Sequence, residues 1–304
     1  MEKNLSKELK ALLSELMGGK IEEETEEVEV EIFKPKKIFE IKAIDIEVTD
    51  TTVPFIKGAY NLLTGRGGIG KSLVALMTLV EYLVNNKDEQ IVAFFSEDFK
   101  LEVEDRLKAT CLLFEADYND IAYRANFMCV DNDDRLRWAT KAKGSCVANG
   151  DYLDSFVDFC LENNVGMIVL DPLNRFHSLE ENSNDDMSWF CKSVIGGIAT
   201  DTGACVIVIH HSSKDAENSS GKSRGAGTIT DSSRLAYNLA ALEKKDGAIL
   251  LSVIKDNMRV SRDCEIIKTG GILNLPDTDD VVGSDLEHIE VEEVEYKESA
   301  MPII

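Results

Sequence analysis

The sequence predicts an α/β fold: a mainly parallel sheet flanked by helices, with antiparallel strands at its end. Three observations point there. Gly65-Arg66-Gly67-Gly68-Ile69-Gly70-Lys71-Ser72 is a complete G-x-x-x-x-G-K-[ST] loop, set between the apolar Ala59-Tyr60-Asn61-Leu62-Leu63 and a helical run. Short, near-continuously apolar segments alternate with amphipathic ones, the pattern of strands covered by helices on both faces. Three of these apolar segments run into Glu97, Asp171 and His210-His211, and in a doubly wound sheet ligands gather at the carboxyl ends of strands.

Residues 4–17 place Leu5, Leu9, Leu12, Leu13 and Leu16 on one side of a short helix that ends at Gly18-Gly19. Residues 22–31 then hold seven glutamates, the composition of a solvated linker. A structured lead-in over 32–58 follows, and the strand before the phosphate loop starts near Gly58. After the loop, Leu73, Leu76, Met77, Val80, Leu83 and Val84 recur at helical spacing up to Asn85-Asn86. Gln90-Ile91-Val92-Ala93-Phe94-Phe95 reads as a buried strand ending in Ser96-Glu97-Asp98, with a helix over roughly 100–115 behind it. Residues 126–130 form a further strand, and residues 151–163 an amphipathic helix leading to Val165-Gly166-Met167-Ile168-Val169-Leu170-Asp171. A helix over roughly 185–199 precedes Cys205-Val206-Ile207-Val208-Ile209. Beyond residue 229, apolar runs at 237–242 and 248–254 flank a Lys244-Lys245-Asp246-Gly247 turn, hence the antiparallel end. The expected organisation is a flexible acidic extension (1–31), one nucleotide-binding domain (32–273) and an acidic tail (274–304) closing in Met301-Pro302-Ile303-Ile304.

The formal charge of −23 is uneven. Residues 1–50 carry 14 acidic against 8 basic side chains, and residues 274–304 carry 10 against 1. The centre holds only −8, so whole-chain acidity does not by itself exclude a nucleic-acid partner there. Seven widely spaced cysteines without a C-x-x-C pattern, several inside apolar runs, indicate reduced, cytoplasmic usage. No apolar run approaches 18 residues and the N-terminus lacks a basic-then-apolar signal, so neither membrane spanning nor secretion is expected.

Glycines in the loop let successive N–H groups point inward at the start of a helix, which adds its positive dipole end. Residues 65–72 therefore predict a nucleoside triphosphate site, with Lys71 on the β- and γ-phosphates and the Ser72 hydroxyl on Mg²⁺. Asp171, a carboxylate closing an apolar strand, is placed to hold the same metal. Glu97 is the candidate to polarise the attacking water, with Asp98 its competitor. Adjacent residues on a strand face opposite ways, and no Cys or His partner lies at zinc spacing, so one histidine of His210-His211 is read as a phosphate sensor. The Ser- and Gly-rich loop over 212–228 carries Lys214, Lys222 and Arg224 against Asp215 and Glu217. Its net charge of +1 suits nucleic-acid contact once several copies converge on one axis.

Together these residues resemble the RecA-like ATPase superfamily, and most closely the RepA-type hexameric replicative DNA helicases of plasmids and phages. The resemblance covers roughly residues 55–262. Its more specific parts are Val169-Leu170-Asp171-Pro172-Leu173-Asn174-Arg175-Phe176-His177 continuing into Glu180-Glu181-Asn182, and His210-His211-Ser212-Ser213-Lys214. Ser223-Arg224-Gly225, Asp231-Ser232-Ser233-Arg234 and Lys255-Asp256-Asn257 complete it. It implies a RecA-like core using ATP and Mg²⁺, with Glu97 as the catalytic carboxylate, Asp171 on the metal and His211 as the sensor. Arg234 would be an arginine finger for the neighbouring subunit's nucleotide, with Arg259 its rival, and Lys255 a second cation at that interface. Lys214, Lys222 and Arg224 would face single-stranded DNA in the channel of a hexameric ring.

The expectation is an ATP-hydrolysing ring motor that translocates on single-stranded DNA, a replicative helicase in a bacterial host's cytoplasm. A recombination or annealing ATPase is the alternative, and a protein-regulating ATP switch without DNA is the alternative from another class. The acidic tail with its short apolar end resembles the tails of single-stranded-DNA-binding proteins, which implies docking of a replication protein.

Overall fold

A computed structural model of the chain describes residues 46–129, 137–211, 226–241, 248–261, 264–269 and 272–274. The expected helix over 4–17, the glutamate-rich linker, the turn at 244–247, the tail beyond Asn274, and Lys214, Lys222 and Arg224 lie outside the described residues.

Strand β1 (Tyr60–Gly65) runs into the phosphate loop and helix α1 (Lys71–Asn85). Then come β2 (Gln90–Phe95), α2 (Lys100–Leu113), α3 (Tyr118–Arg124) and β3 (Ala125–Cys129). A hairpin of β4 (Ala139–Ala142) and β5 (Ser145–Ala148) leads to α4 (Gly150–Glu162) and β6 (Val165–Asp171). Helices α5 (Asn184–Trp189) and α6 (Gly196–Thr202) precede β7 (Cys205–His211). Helix α7 (Ala226–Ser232) and strands β8 (Leu235–Ala241), β9 (Ala248–Asp256), β10 (Cys264–Thr269) and β11 (Ile272–Asn274) close the fold.

The nine-stranded sheet has the order β11-β10-β9-β8-β1-β7-β6-β2-β3. From β8 to β3 every neighbouring pair is parallel, and from β8 outward to β11 every pair is antiparallel. Alternate residues of the central strands feed two separate cores. Leu63, Phe95, Val169 and Ile209 pack with α1 and α2 on one face, whereas Leu62, Phe94, Leu170 and Val208 pack with Phe156, Phe190 and Ile195 on the other. Burial on both faces is the reason these strands read as continuous apolar runs.

Several boundaries differ from the sequence reading. Gly58 adopts φ +63 and its N–H bonds Gly203 O and Ala204 O, so the chain is still turning there and β1 begins at Tyr60. The buried Asn61 side chain then ties the lead-in to the sheet, accepting from Ile56 N and donating to Ile56 O, Ala59 O and Val206 O. The helix expected over 185–199 is interrupted by a π-helical turn, Phe190–Ile195, between α5 and α6. That turn keeps Phe190, Cys191, Val194 and Ile195 in the core while Lys192 points outward. Strand β8 starts at Leu235, and it pairs in parallel with β1 before β9 reverses the direction. Helix α3 and the β4–β5 hairpin are additions to the sequence reading. The hairpin strands are short and lack apolar alternation, and the preceding Trp138, fully buried against Phe94, Phe156 and Phe176, anchors them instead.

Candidate active site

Parallel register brings the predicted residues to one edge of the sheet. Gly65 pairs with His211, Leu170 with Val208 and Phe95 with Asp171, so β1, β7, β6 and β2 end side by side. At Gly65 a Cβ would sit 2.6 Å from Leu239 O of the adjacent strand, so only glycine lets β1 leave the sheet there. Gly70, at φ 115, opens α1, whose N-terminus faces the cleft. The cleft encloses about 380 Å³ and is lined by Gly70, Lys71, Ser72, Glu97, Asp171 and His211 together with Asp98 and Arg106.

Lys71 is buried, and its ammonium donates to Gly65 O at 2.9 Å and Arg66 O at 2.7 Å, with His211 Nδ1 at 3.1 Å. Burial lowers its pKa, opposed by the nearby Asp171 and Glu97 carboxylates. The other ring nitrogen of His211 lies 3.5 Å from Glu97 Oε2, so His211 bridges the loop lysine and the candidate water-polarising carboxylate. Asp98 turns to Arg106 at 2.8 Å. Nothing in the sequence singles out Arg106 beyond its place about two helical turns along from Asp98. Asp171 is buried, and this burial pushes its pKa up to about 6 against the hydrogen bond from the Ser72 hydroxyl. Ser96 N–H holds the Asp171 carbonyl at 2.8 Å, and Arg175 donates to Ser96 O at 3.1 Å, which locks the β2 and β6 ends together.

The residues present fit a magnesium–nucleotide. A Cβ at Gly67 or Gly68 would meet nothing within 4 Å, so the loop backbone is open towards the cleft. Ser72 and Asp171 already share a hydrogen bond at the place where a divalent ion would sit. Among the described residues no three His, Cys, Asp or Glu side chains form a metal cluster, so phosphate oxygens and water would complete the ion's shell.

The structure separates Arg234 and Lys255 from this cleft. Arg234 N bonds Tyr60 O at the opposite end of β1, five residues from Gly65, which is roughly 16 Å of strand. Lys255 reaches the end of α7, donating to Asp231 O at 2.6 Å and Thr230 O at 3.3 Å. Burial lowers its pKa, Asp231 raises it, and the neighbouring Arg234 and Lys192 lower it further. These three cations share a second cleft of about 350 Å³ with Tyr60, Asp231 and Asn257. Lys192 has no sequence signal, because only the π turn aims it there. Arg259 is exposed in the turn after β9, at φ 56.

Two further imidazoles stand behind the site, His177 buried and His210 half-buried. His177 Nδ1 accepts from Leu179 N, its ring packs on Phe190, and its Nε2 has no partner among the described residues. Desolvation lowers the pKa of both to about 4. The unfolded chain binds those protons first, so stability is complete above about pH 6.5 and is lost as pH falls towards about 4. For the buried His177 a shift of that size is worth on the order of 3 kcal/mol. Thermal melts of His177→Gln, which keeps an acceptor for Leu179 N–H but takes up no proton, are expected to fall less steeply over this range than wild type. Equal slopes would remove His177 from the linkage.

A phosphate loop at the end of β1, a carboxylate on each of two nearby strand ends and a histidine between them define a RecA-like P-loop ATPase. The family described as an AAA domain matches residues 47–217, more than half of the chain, and the chain belongs to that family. Among solved structures it is similar to the RadB recombinase, with a TM-score of 0.54 and 17% identity over 73% of this chain and 93% of that one. It is also similar to the ATPase domain of a helicase, with a TM-score of 0.52 and 13% identity over 73% and 86% of the two chains. At these identities the likeness is one of fold. No helix among the described residues is long and apolar enough to cross a membrane.

Proposed function

We propose that the protein is an ATP-hydrolysing motor whose subunits assemble head to tail, in a hexameric ring, and move along single-stranded DNA as a replicative helicase in the cytoplasm. The observation that carries this reading is the position of Arg234, Lys255 and Lys192 at the edge of the sheet opposite the phosphate loop. Roughly 16 Å of strand is longer than an arginine side chain, so these cations have no access to their own subunit's nucleotide. A heterologous interface that sets the lower edge of one subunit on the upper edge of the next supplies what each cleft lacks, and repeats into a ring or a filament.

Within one site, Lys71 and the loop N–H groups bind the phosphates, Ser72 and Asp171 hold Mg²⁺, and Glu97 orients water. Magnesium supplies charge neutralisation on the phosphates. His211 touches both Lys71 and Glu97, so a phosphate that draws Lys71 away from it also changes what Glu97 faces. The fold likeness to a recombinase favours one second reading, a filament-forming recombination ATPase, which uses the same neighbour-supplied cations. A strand-displacement assay separates the two.

The test is the steady-state ATPase rate with and without single-stranded DNA over a salt titration. We expect stimulation by DNA that fades as salt rises, because phosphate contacts release counterions. A rate indifferent to DNA, with binding absent even at low salt, would overturn the motor in favour of a protein-regulating switch.

A further inference from the structure

We propose that the β4–β5 hairpin is a rib that contacts the phosphate backbone of single-stranded DNA, with Lys143 at its tip as the contact residue. This inference rests on the DNA reading above and adds to it a site that the sequence did not indicate.

Charge is the first argument. Residues 137–149 contain Arg137, Lys141 and Lys143 and no acid, in a chain whose net charge is −23. Lys141 is committed to Asp186 at 2.9 Å, with Glu180 also near. Lys143 stands exposed at the tip and makes no ion pair among the described residues.

The backbone supplies a second, independent argument. Lys143 and Gly144 have φ 51 and 85, so they form a two-residue turn with both central residues in the left-handed region. Glycine, asparagine or aspartate suit the first position of such a turn, whereas lysine is strained there. A cation is held at the apex against the conformational preference of the turn, which points to a use for its charge.

Placement is the third. Trp138 N and Ala139 N donate to Phe176 O, and Ser178 N donates to Ala139 O, so the hairpin is clamped to the segment that leaves Asp171 through the short 3₁₀ turn Leu173–Arg175. A shift of the metal-side carboxylate is therefore passed to the hairpin through one short, packed connection. Asp186, which holds Lys141, lies two residues from Asn184, and Asn184 bonds Thr228 of α7 at 3.0 Å. The hairpin thus stands beside the helix that receives the chain returning from the end of β7.

Lys143→Gly separates charge from fold, because glycine fits this turn at least as well as lysine. Binding of a fluorescein-labelled oligo(dT) to the full-length protein is followed by anisotropy at several salt concentrations, with thermal melts alongside. We expect Lys143→Gly to melt no lower than wild type, to bind at least about threefold more weakly at low salt, and to lower the slope of log affinity against log salt by about 0.7 for each subunit engaged. Lys143→Glu should weaken binding further. Wild-type binding with both variants unchanged in affinity and slope would overturn the hairpin contact and leave the motor reading standing. Absence of wild-type binding at low salt would overturn both.

Discussion

Replacing Arg234 by alanine is expected to lower the ATPase rate by on the order of a thousandfold or more while nucleotide affinity stays near the wild-type value. The separation follows from position. The groups that line the phosphate-loop cleft gather around the carboxyl ends of β1, β7, β6 and β2, and Arg234 lies at the amino end of β8. Its loss removes charge stabilisation during turnover from the neighbour's site and leaves the binding loop intact. Because the catalytic groups come from two subunits, mixing Arg234→Ala with Glu97→Ala protein should restore part of the activity through interfaces that pair an intact Glu97 with an intact Arg234. Titration of the mixing ratio checks this, and no recovery at any ratio would count against a shared site. Arg259→Ala is the control for the rival finger, and a larger loss there than at Arg234 would exchange their roles. Lys255→Ala is less clean, since Lys255 also caps the end of α7 immediately before Arg234.

Glu97→Gln carries the second large effect, a fall in turnover of roughly 10²- to 10⁴-fold with nucleotide binding retained. Glu97 and Asp98 are adjacent, and both border the cleft, but their partners differ. Asp98 is engaged by the Arg106 guanidinium at 2.8 Å, whereas Glu97 faces His211 and keeps half of its side chain in solvent, at 54% exposure. Asp98→Asn should therefore reduce turnover far less than Glu97→Gln. Single-turnover measurements on the two variants decide between them, and a greater loss at Asp98 would move the water-orienting role there.

How much of this site can be read in advance depends on how local each feature is. The phosphate loop is complete in the sequence because its geometry is made by eight consecutive residues. Glu97, Asp171 and His211 are legible for a related reason: each ends an apolar run, and in a parallel sheet such runs end on one side. Choosing between Glu97 and Asp98 is not possible there, because the choice depends on Arg106, which arrives from α2. The hairpin is invisible because its strands carry no apolar alternation and are held by Trp138 at a distance. The π turn escapes notice because helical periodicity over a few residues does not distinguish an inserted residue from a change of face.

By itself, then, the sequence determined the α/β class, the order of strands and helices in the core and the identity of the nucleotide-binding loop, since these follow from hydrophobic period and from short motifs. Only the tertiary structure decided which of these residues meet. Strand order placed β8 beside β1 and so carried Arg234 to the far edge from Lys71, and strand register brought His211 between Lys71 and Glu97. Both are pairings between segments distant along the chain, set by burial of two cores at once, and no local pattern of residues encodes them.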